Sequence, residues 1–229
     1  MDETLFKVIF FTVIAVFMVF FFIYFSKRTS NYEKKLMTYI ARSEGFDFSE
    51  TDTFNLKEKT KSFYDFGITP EPFENILHKT YTGTPVYIFN AIDYYKNHKP
   101  DRISWQPSVW TVCLIKLDAP LDFDFIIYPE KVFAGIAKTF KQFSEDFKEL
   151  NVSNDSFSTY KIYVKNTVDQ EIIGNIIKQY LKCSEDFEQK ISLQCHKNYL
   201  AVYSDQETLT RDNEVIKLLK YAKNIHGAI

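Results

Sequence analysis

The chain has 229 residues, 45% of them hydrophobic and 25% charged, and its 28 basic and 30 acidic residues give a formal net charge of −2. A chain without a basic surplus has no long-range field to recruit a polyanion, so the composition argues against a nucleic-acid-binding protein and we expect no nucleic-acid partner. The length suits one membrane segment and one folded domain.

The first predicted element is an apolar helix near the N-terminus. Val8 to Phe25 form an unbroken run without a charged residue, glycine or proline, and as a helix this run would measure about 27 Å. Leu5 and Phe6 extend it to the roughly 30 Å of a bilayer core. No small-residue cleavage site follows the run, as it would in a secretory signal peptide. We therefore expect residues 1–25 to be an uncleaved transmembrane anchor, spanning about Leu5 to Phe25.

Charged residues around the apolar run predict its orientation. One basic residue precedes the run, Lys7, and several follow it closely, Lys27, Arg28, Lys34 and Lys35. Basic residues stay on the cytoplasmic side of a membrane, so we expect a single-pass protein of the cell membrane whose globular domain is cytoplasmic. The cysteines show no paired spacing, which is typical of reduced cytosolic thiols.

Residues 26–82 are predicted to form a juxtamembrane helix and an irregular cover segment. Asn31 to Arg42 have the apolar spacing of a short amphipathic helix, and Gly45 is placed to end it. The following stretch alternates polar clusters with isolated aromatic residues, which is typical of an irregular segment. Within it, the sequence predicts a short helix around Phe73 to His78.

Residues 83–229 predict one folded domain. Because the connections between consecutive strands are short, neighbouring strands should pair antiparallel. The predicted fold class is therefore α+β, with an N-terminal transmembrane helix followed by one globular domain whose antiparallel sheet is packed by about three helices. The predicted strands are 84–95, 108–117, 121–129, 146–150, 158–164, 191–195 and 199–203, and the predicted helices are 129–143, 167–182 and 211–226.

The sequence contains no recognisable catalytic motif. The hydroxyl-rich stretch 151–164 predicts a turn that opens a strand, because Asn154 to Ser156 bond readily to their own backbone. Cys195 and His196 would point to opposite faces of a strand, so they could not act as a pair. The histidines and cysteines lack metal-ligand spacing, and six glycines leave little material for a phosphate loop. We predict no catalytic residue, no cofactor and no metal.

A group of acidic residues supports the main alternative function. Asp118, Asp122 and Asp124 lie close together in the sequence, and a solvated strand face is the favoured interpretation. An enzyme acting on a lipid or membrane-linked substrate would use these acids or His98 as its reactive residues.

An aromatic and basic stretch is the candidate interface. Lys96 to Pro107 predict a long turn between two strands, and they lie among aromatic and basic residues of the kind enriched at protein interfaces and membrane surfaces. Trp105, placed in this turn, either packs on its own domain, which is the favoured interpretation, or forms a contact site. The candidate interface residues are Tyr94, Tyr95, Arg102, Trp105 and Trp110.

Four short motifs follow one another along the chain: GTPVYIF at 83–89, WTV at 110–112, YPE at 128–130 and DSFSTY at 155–160. In these motifs the chain resembles a family of uncharacterised bacterial single-pass, membrane-anchored proteins that have an N-terminal transmembrane helix and a C-terminal α+β domain. The resemblance covers most of the chain and implies a shared fold. No motif contains a required chemical group, so the resemblance implies no activity. The long Lys96 to Pro107 turn departs from the family pattern.

These observations predict a membrane-anchored cytoplasmic interaction or scaffold module. An anchor would confine the domain to the bilayer surface and raise its effective concentration for a membrane-associated protein partner. Such a module needs no catalytic residues, so we expect no enzymatic activity. Two alternatives stay open: an enzyme acting on a lipid or membrane-linked substrate, and an accessory subunit of a membrane protein complex.

Overall fold

The computed structural model describes residues 3–63, 73–99, 102–129, 147–150, 160–184, 191–204, 209 and 211–229, and of residues 3–9, 22–30, 92–99, 102–109 and 184 it describes the backbone alone. The described helices are α1 (Glu3–Glu44), α2 (Leu56–Thr60), α3 (Gln170–Ser184) and α4 (Asp212–His226). The described strands are β1 (Asp47–Thr51), β2 (Glu74–Tyr81), β3 (Thr84–Lys99), β4 (Arg102–Lys116), β5 (Asp124–Pro129), β6 (Phe147–Glu149), β7 (Tyr160–Lys165), β8 (Ile191–His196) and β9 (Tyr199–Ser204).

The nine described strands form one sheet in the order β1-β2-β3-β4-β9-β8-β5-β7-β6. Every pair of neighbours is antiparallel. The β2–β3 hairpin closes through Thr82 and Gly83, whose φ angles are 49° and 93°. Two consecutive positive φ angles are the signature of the tight two-residue turn that matches the twist of a hairpin. Glycine adopts this backbone at no steric cost, which explains its place in the turn.

One face of the sheet, which we call the helix face, is covered by α1, α3 and α4. Each helix presents apolar residues at helical spacing, and those side chains are buried against the strands. The contacting residues include Met37 and Ile40 of α1, Ile173 and Ile176 of α3, Val215 and Leu218 of α4, and Ile88, Cys113, Leu193 and Val202 of the sheet.

The opposite face, which we call the aromatic face, has a second buried cluster. Its members from the sheet alternate along each strand with those of the helix face, as the two-residue period of a strand requires. Leu56 of α2 and Phe63 just beyond it pack on this face. The sheet contributes Phe89, Trp110, Tyr128, Ala201 and Tyr203, among others.

The predicted fold class needs correction at the N-terminus. The prediction placed a transmembrane helix ahead of a separate domain, but α1 is one continuous helix of 42 residues. Its last turns belong to the sheet domain, because Met37, Ile40 and Ala41 are buried in the core of the helix face. In the described parts of the chain, no helix combines the length and the apolar character needed to cross a membrane. The single-pass, signal-anchor classification is therefore not retained.

The segment between α1 and β3 also differs from the prediction. The helix predicted around Phe73 to His78 is strand β2, and β1 forms the edge of the sheet next to it. Residues 26–82 thus contribute two strands to the sheet, where an irregular cover was predicted. The predicted helix 129–143 and the predicted turn 154–156 lie outside the described residues, apart from Pro129 at the end of β5.

Candidate interaction site

The outer part of the β3–β4 hairpin extends beyond the other described strands of the sheet. β2 pairs with β3 as far as Asn90, and β9 pairs with β4 from Val112 to Lys116. Beyond that level, β3 and β4 pair with each other as far as Lys99 and Arg102. In the part of the chain that the structure describes, no further strand joins them there. We call residues 92–99 and 102–109 the ribbon, and it rises about 30 Å beyond Asn90.

The register of the ribbon separates its residues into two faces. Residues directly opposite each other share a face, and successive residues alternate. One face therefore contains mostly apolar and aromatic residues: Ile92, Tyr94, Lys96, His98, Ile103, Trp105, Pro107 and Val109. The other face contains mostly polar residues: Asp93, Tyr95, Asn97, Lys99, Arg102, Ser104, Gln106 and Ser108. We refer to these as the apolar and polar faces of the ribbon.

The five candidate interface residues fall into three places. Tyr94 and Trp105 belong to the apolar face of the ribbon, while Tyr95 and Arg102 belong to its polar face. Trp110 lies at the base and is 4% exposed, within the cluster of the aromatic face. The structure thus brings four of the five onto one projecting element.

Trp105 occupies a strand position, where a turn was predicted. It lies in β4 opposite Lys96, within the strand that begins at Arg102. The prolines and polar residues of this stretch indicated a loop, because proline cannot donate a backbone hydrogen bond within a sheet. Pro107 is compatible with β4 at this level because the described part of β9 pairs with β4 only from Val112 onward.

Polar contacts fix the base of the ribbon to the domain. The Thr111 hydroxyl donates to Asn90 Oδ1 at 3.1 Å and accepts the backbone N–H of Leu209 at 2.9 Å. Asn90 Nδ2 in turn donates to Glu33 Oε2 of α1 at 3.4 Å. Burial raises the pKa of Glu33 above its ordinary value, and nearby Glu74 adds to this, while the Asn90 hydrogen bond opposes it. The base of the ribbon is therefore joined to α1 on the helix face.

The ribbon and the N-terminal part of α1 leave the sheet at the same end. Lys79, which is opposite Val86, donates to the carbonyl oxygen of Glu44 at the C-terminal end of α1. Asn90, further along β3, contacts Glu33, which is further toward the start of α1. Followed backwards, α1 therefore runs alongside β3 toward the ribbon. Asn90 and Thr111 are paired on the helix face of the sheet, and by register the apolar face of the ribbon continues from that side.

An exposed apolar segment of α1 lies beyond the domain. Residues 10–21, which we call the apolar segment, are all exposed. Its large apolar side chains are between 42% and 69% exposed, and they follow one another so closely that they surround the helix. These side chains are Phe10, Phe11, Val13, Ile14, Val16, Phe17, Met18, Val19, Phe20 and Phe21.

The residues of the enzymatic alternative have separate surroundings. Asp118 is exposed and accepts a hydrogen bond from the Thr84 hydroxyl at 3.0 Å, and Asp122 is exposed next to β5. His98 belongs to the ribbon, opposite Ile103. Among the described side chains, Asp124 has a histidine partner, which is His196.

Asp124 and His196 join β5 to β8 on the aromatic face. His196 Nδ1 lies 2.9 Å from Asp124 Oδ2, and the Lys197 N–H donates to Asp124 Oδ1 at 3.1 Å. Burial by itself would raise the pKa of Asp124, but the hydrogen bonds from His196 and Lys197 lower it below its ordinary value. Cys195 is buried in the opposite core, so the expected separation of Cys195 and His196 is confirmed. Because the two side chains lie on opposite faces of the sheet, His196 does not have the neighbouring thiol as a nucleophile.

A buried polar group that the sequence analysis did not identify lies nearby. Gln194 Nε2 donates to the hydroxyls of Tyr128 and Tyr203 at 2.7 Å and 2.6 Å. The three side chains are almost fully buried. Ser192 on the same face has a buried hydroxyl that bonds to none of the described residues. The sequence feature that could have indicated this group is a glutamine between apolar residues in the strand ISLQCH. Such a satisfied network orients buried side chains and fixes the strand register.

The comparisons with known proteins show the fold alone. No family model matches the chain, and no curated protein matches its sequence. A solved structure, that of the mycobacterial trehalose monomycolate transport factor A, is similar with a TM-score of 0.58 and 12% sequence identity. The similarity covers 86% of this chain and 93% of that one. The resemblance to the bacterial family stays a prediction, because this structural likeness does not bear on it.

Proposed function

We propose that the protein is an interaction or scaffold module that binds a protein partner through the ribbon and the apolar segment of α1. The observation that carries this proposal is the ribbon itself, which leaves the sheet with one apolar and one polar face. A two-stranded ribbon is marginally stable in water when nothing covers it. A partner packed on the apolar face would stabilise such a ribbon.

The residue types of the ribbon support the same function. Tyrosine, tryptophan and arginine are enriched in protein interfaces and are common among the residues that dominate binding energy. Tyr94 and Trp105 share the apolar face, with Arg102 at the tip of the polar face. These residue types, at these register positions, are the ones from which a contact surface with aromatic anchors and a charged rim is built.

The apolar segment of α1 adds a second contact surface. Monomeric proteins rarely expose continuous apolar patches of more than a few hundred Å², and larger patches mark sites of interaction. The segment is apolar over consecutive positions from Val13 to Phe21 and is exposed throughout. Since it starts from the same end of the sheet as the ribbon, one partner could contact both.

The likeness to a transport factor is compatible with this proposal. That protein is named for a role in trehalose monomycolate transport, and a module that docks other proteins fits a role in a transport system. We propose no transported substrate for this chain, because at 12% identity the likeness concerns the backbone. The cytoplasmic location predicted from the sequence also stays a prediction.

Affinity capture with matched variants tests the proposal. The full chain is crosslinked in native extracts and compared with the variant Tyr94→Ser/Trp105→Ser on the apolar face and the variant Tyr95→Ser/Arg102→Ser on the polar face. We expect a stoichiometric protein partner with the full chain that is lost with the apolar-face variant and retained, at reduced yield, with the polar-face variant. Circular dichroism of each variant controls for folding. A folded full chain that captures no protein, or equal capture by both variants, contradicts the proposal.

A further inference from the structure

We propose that His196 is a phosphoryl-acceptor site, with Nε2 of its ring as the attacking nitrogen and Asp124 as the residue that positions the ring. The ligand class is a phosphoryl donor with a good leaving group, such as an acyl phosphate. The site lies away from the ribbon, because β4 runs from the ribbon to Lys116, and Lys116 pairs with Tyr199, which is opposite His196. It adds a modification site to the proposed interaction module and does not depend on it.

The contact between Asp124 and His196 determines which nitrogen of the ring can react. His196 Nδ1 lies 2.9 Å from Asp124 Oδ2, and Asp124 Oδ1 accepts the N–H of Lys197 at 3.1 Å. The pKa of Asp124 is below its ordinary value, so the side chain is a carboxylate at neutral pH, which accepts hydrogen bonds and donates none. Nδ1 therefore carries the proton of the neutral ring, and Nε2 carries the lone pair.

The ring of His196 is held in place and is still reached by solvent. Phe63, which is 1% exposed, packs against it edge to face with the ring centroids 6.4 Å apart. The side chain of His196 is 23% exposed and that of Asp124 is 14% exposed. His78 also has a carboxylate nearby, but its Nδ1 lies 3.8 Å from Asp47, which is too far for a hydrogen bond. In the described part of the chain, His196 is thus the histidine whose ring a carboxylate orients.

Three lysines give this end of the aromatic face a positive charge that suits a phosphoryl group. Lys116 and Lys165 lie in the same row of the sheet as His196, each two strands away and so about 10 Å from it at the backbone. Lys197 follows His196 directly in the turn. Lysine side chains are long and flexible, so their ammonium groups can approach a phosphoryl group bound at Nε2. Positive charges so placed stabilise a transferring phosphoryl group.

The chemical step is a direct transfer to the ring. The lone pair of His196 Nε2 attacks the phosphorus atom, the Nε2–P bond forms, and the bond from phosphorus to the leaving group breaks. The electron pair of that bond goes to the leaving group, which for an acyl phosphate departs as a carboxylate. Because Nδ1 keeps its proton, the ring becomes positively charged, and the carboxylate of Asp124 stabilises this charge through the existing hydrogen bond.

Potassium phosphoramidate tests the site in the purified full chain. The reagent carries its nitrogen as an ammonium group, so transfer to Nε2 releases ammonia without a further co-reactant. Mass spectrometry of intact and fragmented protein measures the rate at each of the four histidines, and phosphorus NMR distinguishes the Nε2 product from the Nδ1 product. We expect reaction at His196 about tenfold faster than at His226, which is also partly exposed, and we expect the phosphoryl group on Nε2.

Matched variants separate positioning and charge from folding, which circular dichroism controls. Asp124→Ala frees Nδ1, so we expect a slower reaction with product on both nitrogens, which a merely structural role of Asp124 would not produce. The double variant Lys165→Gln/Lys197→Gln should slow the reaction with anionic phosphoramidate about threefold or more and leave the reaction with neutral diethyl pyrocarbonate unchanged. Lys220→Gln, at an exposed position of α4, is the control and should change neither rate.

The proposal is rejected if His196 reacts no faster than His226, or if Asp124→Ala still gives the Nε2 product alone at the wild-type rate. A phosphoramidate rate that ignores the loss of Lys165 and Lys197 rejects a phosphoryl group as the ligand. The ribbon variant Tyr94→Ser/Trp105→Ser should react at the wild-type rate, because the two sites lie at different ends of β4. Failure of partner capture would therefore leave this site standing, and an unreactive His196 would leave the proposed function standing.

Discussion

The two ends of α1 belong to one helix but have opposite relations to the rest of the protein. Toward its C-terminus, Met37, Ile40 and Ala41 are buried at helical spacing while Tyr39 between them is 59% exposed. From residue 10 to residue 21 every residue is exposed, and nearly all are apolar. An amphipathic pattern has one face to bury and finds it on the protein's own sheet. A uniformly apolar pattern exceeds what one sheet can cover, and for this reason the proposed function gives the second end an external partner.

The base and the outer part of the β3–β4 hairpin differ in the same way as the two ends of α1. At its base, both strands have further neighbours, and residues such as Phe89 and Val112 are fully buried. In the ribbon, the described strands pair only with each other, and the register separates an apolar face from a polar one. The packed part of the protein should therefore respond to mutation with changes in stability, and the projecting part with changes in association. Four predictions test this division, beginning with the largest expected effect.

The largest difference in the free energy of unfolding is expected between substitutions of the two tryptophans of β4. Trp110 is 4% exposed in the aromatic face, so Trp110→Ala should lower the free energy of unfolding by about 3–5 kcal/mol through lost burial and a residual cavity. Trp105→Ala in the ribbon should change it by less than about 0.5 kcal/mol. Urea denaturation at low protein concentration, where association does not contribute, measures both. A loss of stability with Trp105→Ala as large as that with Trp110→Ala would place Trp105 in the protein's own core.

Two apolar residues of α1 allow the same comparison within a helix. Ile40 is 1% exposed and Phe17 is 66% exposed. Ile40→Ala should lower the free energy of unfolding by about 2–5 kcal/mol, whereas Phe17→Ala should leave it within about 0.5 kcal/mol. Thermal and urea unfolding of the two variants provide the measurement. Similar losses for both would mean that the apolar segment packs on its own domain.

Local patterns in the sequence predicted several elements correctly. The helices predicted at 167–182 and 211–226 correspond to α3 and α4, and the hairpin predicted from 191–195 and 199–203 corresponds to β8 and β9. These segments have regular apolar spacing over their whole length, which sequence analysis detects. The continuity of α1 was missed because an apolar run followed by charged residues is also the pattern of a membrane segment with its flanks.

The remaining features depend on contacts between distant parts of the chain. Strand β2 was predicted to be a helix because a short apolar run fits either structure until its neighbours are known. No local sequence pattern indicates that β4 lies beside β9, or that β5 lies between β8 and β7. Asp124 and His196 are 72 positions apart, so their pairing could not be read from the sequence. The candidate interface residues were selected by residue type, and the division of four of them between the two faces of the ribbon required the register.

The polar network of the aromatic face should have an intermediate effect. Gln194→Leu keeps a similar volume but removes the donors to the hydroxyls of Tyr128 and Tyr203. We expect the free energy of unfolding to fall by about 1–3 kcal/mol, because hydrogen bonds are lost inside the core. Gln106→Leu on the polar face of the ribbon is the matched control and should have an effect below about 0.5 kcal/mol. If urea denaturation showed equal losses in the free energy of unfolding for the two variants, the packed part of the protein and the ribbon would not differ in their contribution to stability.

The smallest predicted effect depends on pH. The pKa of Asp124 is below its ordinary value in the folded protein because the hydrogen bonds from His196 and Lys197 outweigh the effect of burial. A lowered folded-state pKa contributes stability that is fully present above the unfolded pKa of about 3.9 and is lost as the pH falls through the folded value. Asp124→Asn should therefore cost on the order of 1 kcal/mol at neutral pH, allowing for partial solvent screening.

The difference between wild type and Asp124→Asn should then shrink as the pH falls below about 3.9. The mechanism requires this direction, because protonation of Asp124 in the wild type removes the same negative charge that the asparagine lacks. Exposed Asp122 supplies the control, and Asp122→Asn at neutral pH should change the free energy of unfolding by less than about 0.5 kcal/mol. Urea denaturation from pH 7 to pH 2 measures all three proteins. A difference that stays constant over this range would show that the Asp124 contacts stabilise the packed part of the molecule through geometry and not through charge.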